Sequence, residues 1–377
     1  MPFELYQGDC IEILSSMDAN TIQCCVTSPP YYGLRDYGVD GQIGLESTPD
    51  EYVSKLVQVF QEVKRVLKDD GTLWLNLGDS YASLGQSAQT DEATGWKHGP
   101  LENEKRSRAR GAGNGIKPKD LIGIPWMVAF ALRADGWYLR SDIIWAKPNP
   151  MPESVKDRPT KSHEYMFLLS KSQKYYYDYE AILEPVTNST VERLSQNIES
   201  QKGSDRVPGK SNGNMKAVLP TKYDDSNMGG GGTGWTHHSG YFGENGEERF
   251  YRKQDNTGNP TYTGFNDRYK ENHPDGMPAR NKRTVWTIKT QPFKGAHFAV
   301  MPEKLVEPCI LAGSKPGDIV LDPFNGSGTV GAVAVKNGRS YTGIDLNGEY
   351  IEMARQRIFE AQQQMRLPLE MEQQYAN

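Results

Sequence analysis

Residues 318–329 read Asp318-Ile319-Val320-Leu321-Asp322-Pro323-Phe324-Asn325-Gly326-Ser327-Gly328-Thr329. An apolar run ends in an acid, and a glycine-containing turn opens a helix predicted over Thr329 to Lys336. Gly326 and Gly328 let the backbone approach a ligand closely, and Asp322 can accept hydrogen bonds from an amino group. About twenty residues on, Asp345 ends a second predicted strand, Tyr341 to Asp345, where a carboxylate can hold ribose hydroxyls. The turn is not Gly-x-Gly-x-x-Gly, and no Gly-Lys-Thr follows it. A nucleoside without phosphate is therefore the favoured ligand.

Working outward, the same alternation appears at both ends of the chain. Ile22 to Thr27 reads as a buried strand stopped by Ser28-Pro29-Pro30. Tyr52, Leu56, Val59, Phe60, Val63, Val66 and Leu67 recur at helical spacing, and Asp69-Asp70-Gly71 is expected to end that helix. Thr72 to Leu77 is a strand leading into Gly78-Asp79-Ser80. Leu121 to Arg133 reads as a helix, and Tyr138 to Trp145 and Tyr165 to Leu169 as strands. Leu305 to Ala312 reads as a helix before the 318–322 strand, and Tyr350, Ile351, Ala354 and Ile358 mark a closing helix. Strand and helix alternating in this way predict an α/β fold, a mostly parallel twisted sheet with helices on both faces.

Two stretches break the pattern. A polar loop at 83–119 carries Lys105, Arg106, Arg108 and Arg110. The stretch from Glu192 to Arg280 is rich in Gly, Asn and Ser, yet it interleaves Trp235, Tyr241, Phe242, Phe250, Tyr251, Tyr262, Phe265 and Tyr269 with Arg249, Arg252, Lys253, Arg268 and Lys270. Plain linkers carry few aromatics, whereas aromatic and basic residues together suit a nucleic-acid surface that orders on binding. The expected organisation is an α/β half over 1–190 with the basic loop, a partly disordered insertion over 191–283, a second α/β half over 284–360 and a tail over 361–377.

The chain has 377 residues and a net charge of −5, so any nucleic-acid surface is confined to a cleft rather than spread over the molecule. Mean hydropathy is −0.69. No apolar run reaches the roughly 20 residues of a membrane helix, and no secretory signal opens the chain. Cys10, Cys24, Cys25 and Cys309 show neither disulfide-framework nor zinc spacing, so a reducing cytoplasm is expected. His98, His237, His238 and His273 also lack metal-ligand spacing, and no metal is expected.

Val26-Thr27-Ser28-Pro29-Pro30-Tyr31 carries the second piece of chemistry. The prolines remove two N–H donors and fix the backbone, freeing carbonyl oxygens to face a cleft. Ser28 adds a hydroxyl acceptor and Tyr31 a flat face for a base. Such a group can accept both hydrogens of an aromatic amino group and draw the nitrogen lone pair out of conjugation.

Taken together, the two motifs resemble the amino-methyltransferases of bacterial restriction-modification systems and phages. That family pairs Asp/Asn/Ser-Pro-Pro-Tyr/Phe with a form of Asp-Pro-Phe-x-Gly-Ser-Gly-Thr. Here the catalytic motif comes first, as in the β arrangement. The resemblance covers Phe3 to about Lys174 and Val285 to about Ile358. It implies a Rossmann-like S-adenosylmethionine-dependent methyltransferase fold with a target-recognition insertion. Gly8, Asp9, Asp322, Pro323, Phe324, Gly326, Ser327, Gly328, Thr329 and Asp345 would bind S-adenosyl-L-methionine. Ser28, Pro29, Pro30 and Tyr31 would be catalytic, and Lys105, Arg106, Arg108 and Arg110 would touch DNA. The implied partners are double-stranded DNA and a cognate restriction endonuclease, which places the protein at the nucleoid.

Residues 145–149, Trp145-Ala146-Lys147-Pro148-Asn149, and His163-Glu164-Tyr165 match family segments without an assigned role. The implied reaction is methylation of a base flipped out of the duplex. Serine after Thr27 resembles the N4-cytosine members; adenine-N6 enzymes more often carry aspartate there. Adenine-N6 methylation stays open as the alternative. So do methylation of RNA or of a protein glutamine, and a catalytically silent DNA-binding or regulatory role. A carbon-5 mechanism through Pro308-Cys309 is disfavoured because the pair lies in an apolar helix.

Overall fold

A computed structural model describes residues 2–34, 36, 38–83, 116–187, 253–254, 260–261, 279–290 and 301–375. The basic cluster at 105–110, the histidines at 98, 237, 238 and 273, and nearly all of the aromatic and basic residues between 192 and 278 lie outside them. The chain divides into two compact units, Met1–Ile182 with Arg283–Asn377, and Leu183–Lys282.

The first unit holds one eight-stranded sheet. Its strands in chain order are β1 (Phe3–Gln7), β2 (Ile22–Thr27), β3 (Leu67–Leu77), β4 (Tyr138–Ala146), β5 (His163–Ser170), β6 (Val285–Thr287), β7 (Ile319–Asp322) and β8 (Ser340–Asp345). Their order across the sheet is β1-β8-β7-β2-β3-β5-β4-β6. All neighbours are parallel except β5, which runs antiparallel to both β3 and β4. The expected mostly parallel sheet is therefore present, with one reversed strand that periodicity could not orient.

The helices are α1 (Cys10–Ser16), α2 (Pro49–Val66), α3 (Ile124–Ala134), α4 (Glu303–Gly313), α5 (Thr329–Lys336) and α6 (Gly348–Tyr375). Pleating sends successive side chains to opposite faces, and the sheet uses both. Cys25, Leu73, Leu75, Phe167 and Leu321 face a core shared with residues of α1, α2 and α3. Cys24, Val26, Trp74, Met166, Leu168 and Val320 face a second core that includes residues of α4, α5 and α6. The run of six consecutive buried residues in β2 follows from burial on both faces.

Local chemistry sets the helix ends. Thr48 and Glu51 form a capping box at the start of α2, with Pro49 in its first turn. This helix ends at Val66, a few residues before Asp69-Asp70-Gly71. Leu67 takes extended angles while its N–H bonds to the Val63 carbonyl, so the chain passes straight into β3. Helix α3 starts at Ile124 rather than Leu121, because Gly123 has φ +85 and the Asp79 carboxylate accepts the N–H groups of Gly123 and Ile124. Three further elements, β1, α1 and β6, gave no clear periodic signal and were not anticipated.

Among the described residues of the second unit, Glu184–Pro185 pairs antiparallel with Ala279–Arg280, and Lys253–Gln254 with Pro260–Thr261. Arg280 and Glu184 form an ion pair at 2.9 Å.

Candidate functional site

Parallel strands end on one side of a sheet, and the two sequence motifs meet there. Strands β2, β7 and β8 are neighbours, so Ser28, Asp322 and Asp345 stand at three adjacent strand ends. Gly8 continues β1 on the far side of β8, its N–H donating to the Asp345 carbonyl at 3.0 Å. Gly78 and Asp79 follow β3 on the other side.

The motifs are joined directly. Thr27 Oγ1 donates to Asp322 Oδ1 at 2.6 Å, and the Phe324 N–H donates to the same oxygen at 3.0 Å. Asp322 is 2 % exposed, and burial pushes its carboxyl up to about 7 despite these two donors. Among the described residues no donor reaches its Oδ2. A buried carboxylate with one oxygen unpartnered suits a cationic amino group.

Asp345 shapes the turn itself. Its Oδ2 accepts the Gly326 N–H at 2.7 Å and its Oδ1 the Asn347 N–H at 2.9 Å. Burial raises this carboxyl as well. Gly326 and Gly328 have φ of +50 and +75, and a β-carbon on Gly328 would lie 2.7 Å from that of Ala354. Ser327 and Thr329 are buried, and their hydroxyls meet Arg357 of α6 at 3.2 and 2.8 Å. Those two side chains fasten the turn to α6. Asn325 is likewise buried, accepting from the Tyr341 hydroxyl at 2.7 Å. Asp9 Oδ1 caps α1 through the N–H groups of Ile11 and Glu12 at 2.8 and 3.1 Å.

On the β2 side, Pro29 is buried and Ser28, Pro30 and Tyr31 are half-buried. The Pro30 carbonyl accepts from the Tyr52 hydroxyl at 2.7 Å, whereas the Pro29 carbonyl accepts nothing from the described residues. Ser28 Oγ stands 3.5 Å from the Tyr31 hydroxyl, at the limit of a hydrogen bond.

Tyr31 is held by groups that carried no assigned role in the sequence. Its hydroxyl is 2.8 Å from Glu164 Oε2 and 3.1 Å from Asn76 Oδ1. Burial, then the Glu164 charge, pushes its pKa well above 10, so it stays a donor. Glu164 Oε1 is paired with Lys147, whose ammonium lies 4.2 Å from the centre of the Trp145 ring. Gly78 lies against the tyrosine ring, where a β-carbon would come within 2.5 Å of Cε2. The segments 145–149 and 163–165 thus converge on Tyr31. Lys147, Glu164 and Gly78 are chemically ordinary in sequence, and only the antiparallel placement of β5 brings Glu164 there.

Cys309 is fully buried on α4, its thiol 3.3 Å from the Leu305 carbonyl, which leaves no path for a ring-attacking nucleophile. Cys24 is fully buried, and burial pushes its thiol up to about 12. Among the described residues no helix is long and apolar enough to cross a membrane.

Comparison with known proteins gives a consistent result. A family model described as DNA methylase matches residues 22–356. Over 356 residues the chain is 42 % identical to the Type II methyltransferase M.Cfr9I of Citrobacter freundii, covering 94 % of this chain and 87 % of that one. It is 40 % identical over 353 residues to the Type II methyltransferase M.SmaI of Serratia marcescens, covering 93 % and 89 % respectively. The fold is similar to that of the PvuII DNA methyltransferase (cytosine-N4-specific), with a TM-score of 0.50 and 19 % identity over 95 % of this chain and 86 % of that chain.

Proposed function

The chain belongs to the DNA methylase family, and from that premise we propose that it methylates the exocyclic N4 of a cytosine turned out of duplex DNA. Its class, a DNA amino-methyltransferase of restriction-modification type that uses S-adenosylmethionine, follows from the family. The choice of cytosine and the residue roles are our reading.

Bound S-adenosylmethionine supplies an electrophilic sulfonium methyl group. The donor set fits such a ligand. Asp322 Oδ2 suits its amino group, Asp345 and the Gly326–Gly328 turn suit its nucleoside, and Phe324 packs partly buried at the turn. The Arg357 guanidinium behind the turn is engaged by Ser327, Thr329 and Glu303. Gly8 contributes from the end of β1, where its backbone is bonded to Asp345.

The chain's own part in catalysis is placement and polarisation. Ser28 Oγ and the open Pro29 carbonyl accept the two amino hydrogens of the base. That pulls the nitrogen lone pair out of the ring and aims it toward the Asp322 side of the edge. Tyr31, steadied by Glu164 and Asn76, offers a ring on which the base stacks. Two neutral acceptors and a stacking face need no metal and no covalent enzyme intermediate.

The observation that supports this reading best is the Thr27–Asp322 hydrogen bond, which holds the Ser28-Pro29 turn beside the glycine turn. Serine in place of aspartate at position 28 supports cytosine. We further propose that a cognate restriction endonuclease accompanies the enzyme and that the 191–283 insertion reads the target.

The test is transfer of labelled methyl groups to unmethylated DNA. Wild-type protein labels the DNA, whereas Ser28→Ala and Pro29→Ala bind the cofactor and transfer at least about a hundredfold more slowly. Near-normal transfer by either variant would overturn the catalytic assignment.

A further inference from the structure

A base cannot leave a duplex without leaving a gap in the stack, and proteins that hold DNA in such a state insert an apolar side chain. The described residues contain a candidate for that task. Met151 is 84 % exposed, against 58 % for Val285, the next most exposed large hydrophobic residue near the same sheet edge. A single exposed apolar side chain is common on protein surfaces, so a reason to single this one out must come from its setting.

Its setting supplies one. The loop between β4 and β5 begins Lys147-Pro148-Asn149-Pro150-Met151-Pro152. Prolines at alternate positions lock φ and force each residue between them into extended backbone. Asn149 is clasped to Thr290 on both sides, accepting its N–H at 3.0 Å and donating to its carbonyl at 3.3 Å. Beyond the tip, Glu153 accepts from Arg158 at 2.7 Å and from the Lys161 N–H at 3.1 Å. Arg158 in turn lies 3.8 Å from the centre of the Tyr81 ring. The methionine is therefore presented by a braced loop rather than a slack one, so inserting it forfeits little chain entropy.

Both feet of the loop stand on the supports of Tyr31. Lys147 pairs with Glu164, which holds the Tyr31 hydroxyl. Lys161 donates to the carbonyl of Asp79, the residue after the Gly78 that lies against the tyrosine ring. Met151 lies four positions beyond Lys147, which keeps the tip within about 14 Å of that foot. The loop's two acids, Glu153 and Asp157, are already paired with Arg158 and Lys119. With those acids paired, Lys156 is left as an exposed cation on the same loop, which suits a phosphate backbone.

We propose that Met151 is the wedge that fills the space vacated by the target base, so that the β4–β5 loop, and not only the insertion, engages the duplex. This rests on the base-flipping reading of the family and adds a residue to it. A wedge acts only where a paired, stacked base must be extruded.

The experiment compares Met151→Ala, Met151→Leu and wild type on two duplexes bearing the mapped site, one fully paired and one with the target opposite an abasic position. Single-turnover methyl transfer is read on each. The alanine variant is expected to lose about tenfold or more on the paired duplex and less than about twofold on the abasic one, with leucine near wild type on both. Because the side chain is exposed, the fold and the cofactor affinity should not change. Equal losses on the two duplexes, or no loss on the paired one, would overturn the wedge. Failure of wild type to label either duplex would instead overturn the methylation reading, and the wedge with it.

Discussion

Thr27 and Asp322 lie 295 positions apart in the chain and share a 2.6 Å hydrogen bond at the ends of adjacent parallel strands. One residue immediately precedes the Ser28-Pro29 turn and the other opens the glycine turn. The bond sets the spacing between the turn proposed to accept the amino group and the carboxylate proposed to hold the cofactor. Removing it with Thr27→Val leaves a buried carboxylate with one donor fewer, at a cost of about 1–3 kcal/mol. Thermal denaturation should show a lower Tm, together with slower methyl transfer. An unchanged Tm and rate would show that the two turns hold their spacing without it.

Asp322 is expected to make cofactor binding pH-dependent. With its carboxyl pushed up to about 7 by burial, it is largely protonated in the free protein at pH 6 and charged at pH 8. A cationic amino group binds the charged form. Affinity for S-adenosylmethionine should therefore rise as pH increases from about 5.5 to 7.5, by at most about tenfold per pH unit. Calorimetric titration should also detect proton release near neutral pH. Asp322→Asn should bind weakly with a flat profile, and a sloped profile in that variant would remove Asp322 from the account.

Asp345 is expected to act on the cofactor partly through the turn. Its two oxygens hold the N–H groups of Gly326 and Asn347. Asp345→Ala should weaken S-adenosylmethionine binding by about tenfold or more, since an acceptor and the shape of the turn are lost together. An unchanged dissociation constant would count against it.

Glu164 should matter for DNA rather than for cofactor. In Glu164→Gln the Tyr31 hydroxyl keeps an acceptor, but Lys147 loses its charge partner in a site where both side chains are at most 17 % exposed. We expect kcat to fall by about tenfold through misplacement of the base, with cofactor affinity unchanged. Restored turnover in Glu164→Asp would favour a positioning role. A uniform loss of folding stability in both variants would indicate a structural one.

The sequence exposed the parts of this molecule that obey a period or carry a compact motif. Residues 22–27 are buried on both faces and read as a continuous apolar run, and residues 322–329 combine an acid, a glycine turn and a helix start. The site's supports were less visible. Glu164 reaches Tyr31 because β5 runs against its neighbours, and strand direction leaves no mark on hydrophobic alternation. Ser327 and Thr329 are cofactor-site candidates by resemblance, and the contact of both hydroxyls with Arg357, 30 and 28 residues away, is one that no local pattern announces. Strand β1 eluded periodicity because it is an edge strand of five residues with mixed exposure.

The most direct measurement is mass spectrometry of nucleosides from unmethylated DNA incubated with the protein and isotopically labelled S-adenosylmethionine. Label in N4-methylcytosine is the predicted result. Label confined to N6-methyladenine would keep the site and reverse the base. No label in DNA, from protein shown to bind the cofactor, would contradict the account.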